Sequence, residues 1–252
     1  MNEEQRDNLL NVTRQIRDHL EIDMSQGISD LVLPQTETPT SEVKHDAPIV
    51  AAQPAASSRP VNTQKEADLA TLQEETSQCN RCSLCKTRKN LVFGVGNPDA
   101  ELMFIGEAPG ADEDAQGIPF VGRAGKLLTR IITQGMKMER ANVYIANILK
   151  CRPPANRTPS TDEMAVCMPH LMKQIEIIDP AIIVTLGATA LNGLTQSKSA
   201  ISKERGRFRD WNGIQLMPTF HPAYLLRNPP AKKDVWEDIK KVIEALNTPS
   251  ES

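Results

Sequence analysis

Four apolar runs stand out along the chain, within Glu101–Ile105, Val143–Asn147, Ala181–Leu186 and Ile214–Phe220. Each is short, rich in branched or aromatic residues and continuous rather than alternating, the pattern of a strand buried on both faces. Helical spacing fills the intervals. Arg123–Gln134 carries apolar residues three and four apart, and Thr161–Ile178 opens on Ser160, Thr161 and Glu163, a capping arrangement. A short helix is expected after Gly187. Lys232–Leu246 turns Val235, Ile239, Val242, Ile243 and Leu246 to one side, and Lys65–Ser77 does the same with Leu69 and Leu72. The alternation predicts an α/β fold, three-layer αβα, with a central, mostly parallel four-stranded sheet.

Before residue 65 the pattern changes. Leu9, Leu10, Val12, Ile16 and Leu20 fit a short amphipathic helix over 3–22, suited either to docking on a protein partner or to fraying alone. Residues 34–64 are Pro, Thr, Ser, Gln and Ala with almost no large apolar side chains, and read as a disordered linker. The expected organisation is an N-terminal extension over 1–64 and a folded domain over 65–248.

Charge sharpens that division. The chain carries a net −3, but residues 1–70 hold 6 Lys/Arg against 12 Asp/Glu, and residues 71–252 hold 23 against 20. The expected folded part is therefore mildly basic, which permits a phosphate-binding face. No apolar run reaches the ~18 residues of a membrane span. The start, Met1-Asn2-Glu3-Glu4-Gln5-Arg6, lacks a secretory pattern. A cytoplasmic location, in the bacterial cytoplasm or at the nucleoid, is expected, with the chain a monomer.

Chemistry concentrates in two places. The stretch Gly106–Gly125 follows the first strand and holds glycines, prolines, four carboxylates and Phe120. Ordinary strand–helix connections run about 2–6 residues, and the carboxyl ends of parallel strands are where such sheets bind ligands. The second place is Cys79-Asn80-Arg81-Cys82-Ser83-Leu84-Cys85, together with Cys151 and Cys167. A Cys-x-x-Cys pair with two distant cysteines supplies four thiolates for an iron–sulfur cluster or a zinc ion, with Lys150, Arg152 and Arg81 favouring deprotonation. Spacing alone separates neither the two metals nor Cys85 from the ligands.

Four ordered motifs carry a resemblance. Gly106-Glu107-Ala108-Pro109-Gly110, Gly117 through Gly125, Asn147-Ile148-Leu149-Lys150-Cys151-Arg152-Pro153-Pro154 and His221-Pro222-Ala223-Tyr224-Leu225-Leu226-Arg227 together resemble the family-four, iron–sulfur uracil-DNA glycosylases over about residues 75–246. The resemblance implies excision of uracil from DNA, leaving an abasic site. It also implies a [4Fe–4S] cluster on Cys79, Cys82, Cys151 and Cys167, with Cys85 outside the ligand set.

Such an enzyme extrudes its base and reads the Watson–Crick edge. Phe120 would stack on uracil. Asn147 offers the donor and acceptor that match O4 and N3–H. His221 would stabilise charge on O2. By resemblance, Glu107 lies beside the base and the attacking water. Ala108 occupies the position where other uracil-DNA glycosylases place an aspartate base, and Glu113 blocks the thymine methyl. Leu225 and Leu226, on an apparently exposed loop, are candidate wedges into the base stack. Arg227, Arg157, Arg152 and Lys126 are candidate phosphate contacts. Two other readings are a non-cleaving DNA- or partner-binding module on the same fold, and a glycosylase for another deaminated base such as hypoxanthine.

Overall fold

The computed structural model describes residues 62–248. The expected helix over 3–22 and nearly all of the expected linker lie outside them. The chain enters through α1 (Thr63–Ser77), capped by the Asn62 side chain, which accepts from the Gln64 N–H. A 3-10 turn (Ser83–Lys86) and a two-residue strand β1 (Val95–Gly96) lead to β2 (Leu102–Gly106). Then follow α2 (Ala111–Gln116), α3 (Arg123–Arg130) running into a π turn (Ile131–Gly135), β3 (Tyr144–Asn147) and α4 (Thr161–Ile178). β4 (Ile182–Leu186), α5 (Ala188–Thr195), α6 (Ile201–Glu204), β5 (Arg209–Trp211), β6 (Ile214–Thr219), α7 (Pro222–Arg227) and α8 (Lys232–Asn247) complete the order.

The sheet runs β1-β3-β2-β4-β6-β5. Its four middle strands are parallel and correspond to the four apolar runs. Two short antiparallel strands, β1 and β5, close the edges, so the sheet has six strands rather than the expected four. Both edges are too short and too polar to show as apolar runs.

Alternation along each strand divides the interior in two. Met103, Ile105, Tyr144, Ala146, Ile183 and Leu216 face a core covered by α1, α4 and α5. Leu102, Phe104, Ile145, Val184 and Met217 face one covered by α3, α7 and α8. Burying each large apolar side chain contributes about 1.5–3 kcal/mol, so the two faces hold the three layers together.

From β2 the chain moves to β3 on one side, and β4 returns on the other. The helices after β2 and β3 therefore pack on opposite faces, and their loops diverge at the carboxyl end of the sheet. That divergence opens a crevice at the switch point. Among the described residues no helix is long and apolar enough to cross a membrane.

Candidate active site

The crevice forms a cavity of about 450 Å³ whose walls bring together Glu107, Ala108, Glu113, Phe120, Asn147 and His221. Cavities of ~300–1,000 Å³ suit small ligands.

Phe120 sits in the left-handed region, φ 54°, which a bulky residue keeps only when its surroundings impose it. Gly125 makes room on one side, since a Cβ there would collide with the Phe120 carbonyl. Gly106 makes room on the other: a Cβ there would lie 2.6 Å from Phe120 Cζ and would also strike Asn147 Oδ1. The ring is buried, both packing on the core below and lining the cavity. Its centroid lies 5.7 Å from that of the His221 imidazole.

Asn147 ends β3 and is 2 % exposed, with Oδ1 buried and without a hydrogen-bond partner. An orphaned buried acceptor costs about 1–3 kcal/mol, a cost that a donor carried by a ligand removes. His221 caps α7: its Nδ1 accepts from the Ala223 N–H at 3.1 Å, so the proton of the neutral ring sits on Nε2. Burial, reinforced by Arg227, pushes the imidazole down to about 4. At neutral pH the residue is thus an uncharged Nε2–H donor.

The loop over 106–125 is not wholly irregular, because α2 interrupts it. Glu113 organises the turn: Oε2 accepts from the Gly110 N–H at 3.1 Å, and Oε1 accepts from the Val121 and Gly122 N–H groups, both at 3.0 Å. The carboxylate is fixed beside the cavity rather than solvated. Glu107 and Ala108 line the same wall, and the Glu107 carbonyl accepts from the Leu149 N–H.

At the rim, one expectation is corrected. Residues 222–227 form a helix, not an exposed loop, and this turns Leu225 inward at 1 % exposure. Leu226 is half-buried against the same core. The exposed residues here are Tyr224, its ring 4.9 Å from that of Phe220 and tilted 40° to it, and Arg227, and both line the cavity. Arg157 reaches the cavity but is held bidentately by Glu163, at 2.9 and 2.6 Å, and its guanidinium keeps that carboxyl at about 2. Arg152 donates to Asn156 Oδ1. Lys126 is exposed on α3, away from the cavity lining.

All five cysteines line a second cavity, between α1, the 3-10 turn, the end of β3 and α4. Arg88 Nη1 donates to Cys151 Sγ at 3.2 Å, and the Lys150 backbone N–H donates to Cys167 Sγ at 3.3 Å. The Thr76 hydroxyl gives its proton to the Leu72 carbonyl and meets His170 Nδ1, while His170 Nε2 is buried without a partner. Only about 10 Å³ is open. Among the described residues no three His, Cys, Asp or Glu side chains are placed to hold a metal ion. Cys85 shares this cavity, so the fold does not separate it from the other four.

Lys150, noted only as a basic neighbour of Cys151, is 1 % exposed and bonds the Asn147 carbonyl at 2.9 Å. Its place behind Ile148 and Leu149, in an otherwise buried run, was the available signal.

Residues 93–240 match the family model described as the uracil DNA glycosylase superfamily. The chain is 48% identical to a type-4 uracil-DNA glycosylase of Saccharolobus solfataricus, over 72% of this chain and 88% of that protein. It is 46% identical to the type-4 enzyme of Sulfurisphaera tokodaii, over 72% and 86%. With that of Thermotoga maritima the identity is 47%, over 70% and 94%.

Proposed function

The chain belongs to the type-4 branch of the uracil-DNA glycosylase superfamily and removes uracil from DNA, and we propose that Phe120, Asn147 and His221 are its three contacts to the base. The observation that carries this assignment is the orphaned Asn147 amide oxygen beside the Phe120 ring and the His221 imidazole in one base-sized cavity. Phe120 takes the flat face of the extruded uracil. Asn147 Oδ1 accepts from N3–H and its amide N–H donates to O4, a pairing that cytosine reverses.

As the bond between N1 and the sugar C1′ breaks, its electron pair passes to the uracil ring, and charge collects on O2. The His221 Nε2–H, neutral and already oriented, donates to that oxygen. Water adds to C1′, and its released proton ends on the departing base. Ala108 has no group to take that proton, so stabilisation of the leaving uracil is the main contribution. Glu107 stands at the wall where the water would sit, and the fixed Glu113 carboxylate is suited to exclude a 5-methyl group. Arg227 and Tyr224 at the rim would meet DNA flanking the extruded nucleotide.

We further infer that Cys79, Cys82, Cys151 and Cys167 hold a [4Fe–4S] cluster. Support comes from the convergence of all four on one cavity, from N–H donors on two of the sulfurs, and from the unpartnered His170 nitrogen in the cavity wall. When bound, the cluster supplies covalent cross-links between the segment after α1, the end of β3 and α4, and takes no part in hydrolysis.

The test is release of free uracil from a single-uracil oligonucleotide. Wild type releases it, and Asn147→Ala lowers the rate about 100- to 1,000-fold, the scale of losing one well-aimed polar contact. Equal release by both removes Asn147 from the base contacts. No release by wild type overturns the assignment of the cavity.

A further inference from the structure

Lys150 is a fully buried lysine for which the hydrolysis has no direct use. A buried lysine amino group is costly unless it is hydrogen-bonded, so its place in the core calls for a reason. Its Nζ donates to the Asn147 carbonyl at 2.9 Å and to Gln174 Oε1 at 2.5 Å. Gln174 is itself anchored, its Nε2 donating to the Phe93 carbonyl at 3.0 Å and to the Tyr144 hydroxyl at 3.1 Å. Tyr144 begins β3 and Asn147 ends it, so one buried network grips both ends of the strand. The Lys150 backbone N–H points elsewhere, to Cys167 Sγ on α4. Gln174 lies on that same helix, about two turns further on.

We propose that Lys150 is a positioning residue that sets the direction of the Asn147 side chain and ties it to the cysteine-bearing helix. The parallel ladder between β2 and β3 ends at the Gly106–Asn147 pair. On its amino side Asn147 is held by that ladder. On its carboxyl side the Ile148 and Leu149 N–H groups donate to the Gly106 and Glu107 carbonyls, at 2.9 and 3.0 Å, and the Lys150 amino group holds the Asn147 peptide carbonyl. With both sides pinned, the Cα–Cβ bond cannot tilt, and the amide meets the base at a fixed height. Cys151 follows Lys150 directly, and Cys167 accepts from its backbone, so Lys150 is a direct link by which displacement of the cysteine cavity reaches Asn147. The proposal rests on Asn147 contacting uracil.

A double-mutant cycle tests it. In the wild-type background Lys150→Met lowers kcat/KM for uracil release about 10- to 100-fold, the scale of misplacing a contact by an ångström or less. The loss falls on kcat, with KM for DNA held. In the Asn147→Ala background the same substitution changes the rate less than about two-fold, because residues acting through one another are not additive. Gln174→Met, which removes the second acceptor of the Lys150 amino group, gives the same pattern at smaller amplitude and decides the matter if Lys150→Met does not fold. Equal losses in both backgrounds, or no loss in either, overturn the proposal and leave Asn147 as a base contact. An Asn147→Ala enzyme as active as wild type overturns the base contact and the proposal with it.

Discussion

The base-sized cavity keeps about 450 Å³ open and leaves Asn147 Oδ1 without a partner, whereas the cysteine cavity keeps about 10 Å³ and supplies two of its sulfurs with N–H donors. The first is lined by residues fixed by their own surroundings: the Phe120 backbone fits against Gly125, three N–H groups hold the Glu113 carboxylate, and the His221 ring caps α7. Such a wall can stay open because its shape does not depend on what fills it. The second is a meeting of segments from distant parts of the chain. Its shape would depend on its occupant. On the proposed reading, one cavity takes a ligand that comes and goes and the other a group inserted once.

The largest expected effect breaks the second cavity. Cys167→Ala in holoprotein purified anaerobically releases iron and sulfide and lowers Tm by about 10 °C or more, as loss of a structural metal centre does. Cys85→Ala leaves iron content and Tm close to wild type. Cys167→Ala protein that keeps both its iron and its Tm would remove the cluster from Cys167, and equal losses in both variants would place Cys85 among the ligands.

The next effect sharpens the rim of the first cavity. Leu225→Ala empties a buried position and costs about 2–5 kcal/mol of stability by chemical denaturation. Tyr224→Ala, at an exposed position, changes stability by under about 0.5 kcal/mol but weakens binding of uracil-containing DNA, since a stacked base is worth about 1–3 kcal/mol. A stable Leu225→Ala protein that binds DNA poorly would restore the leucine as the wedge.

That reversal of Tyr224 and Leu225 shows where sequence stops being readable. The four parallel strands were legible because burial on both faces demands unbroken apolar runs, and the start of α4 was legible because Ser160 and Glu163 cap it reciprocally. In contrast, α2 and α7 are six residues each, too short to show a period, so the inward and outward sides of Leu225, Leu226 and Tyr224 were not distinguishable. A Pro at the first helical position after His221 was the sign of α7 that composition concealed. Asn147, Phe120 and His221 were recognisable from their motifs, but only the fold shows that Gly106 makes the space where the first two meet. Lys150 was legible as a charge and illegible as a core residue, because lysines are almost never fully buried.

The smallest expected effect concerns the proton on His221. An ordinary histidine changes charge near pH 6.5, and an enzyme relying on such a group would change rate there. Here burial, and after it Arg227, hold the ring at about 4, so kcat for uracil release is expected to be flat between about pH 6 and 8. Any acid limb lies well below 6.5. Stability follows the same window: between about 4 and 6.5 the unfolded chain takes up a proton at this position and the folded chain does not, so His221 makes stability rise with pH there. Arg227→Gln removes the second cause and leaves the first, moving the acid limb upward without bringing it to the ordinary value. A wild-type inflection near 6.5 would mean that the imidazole works charged, and the neutral-donor mechanism would fall while the Asn147 contact stood.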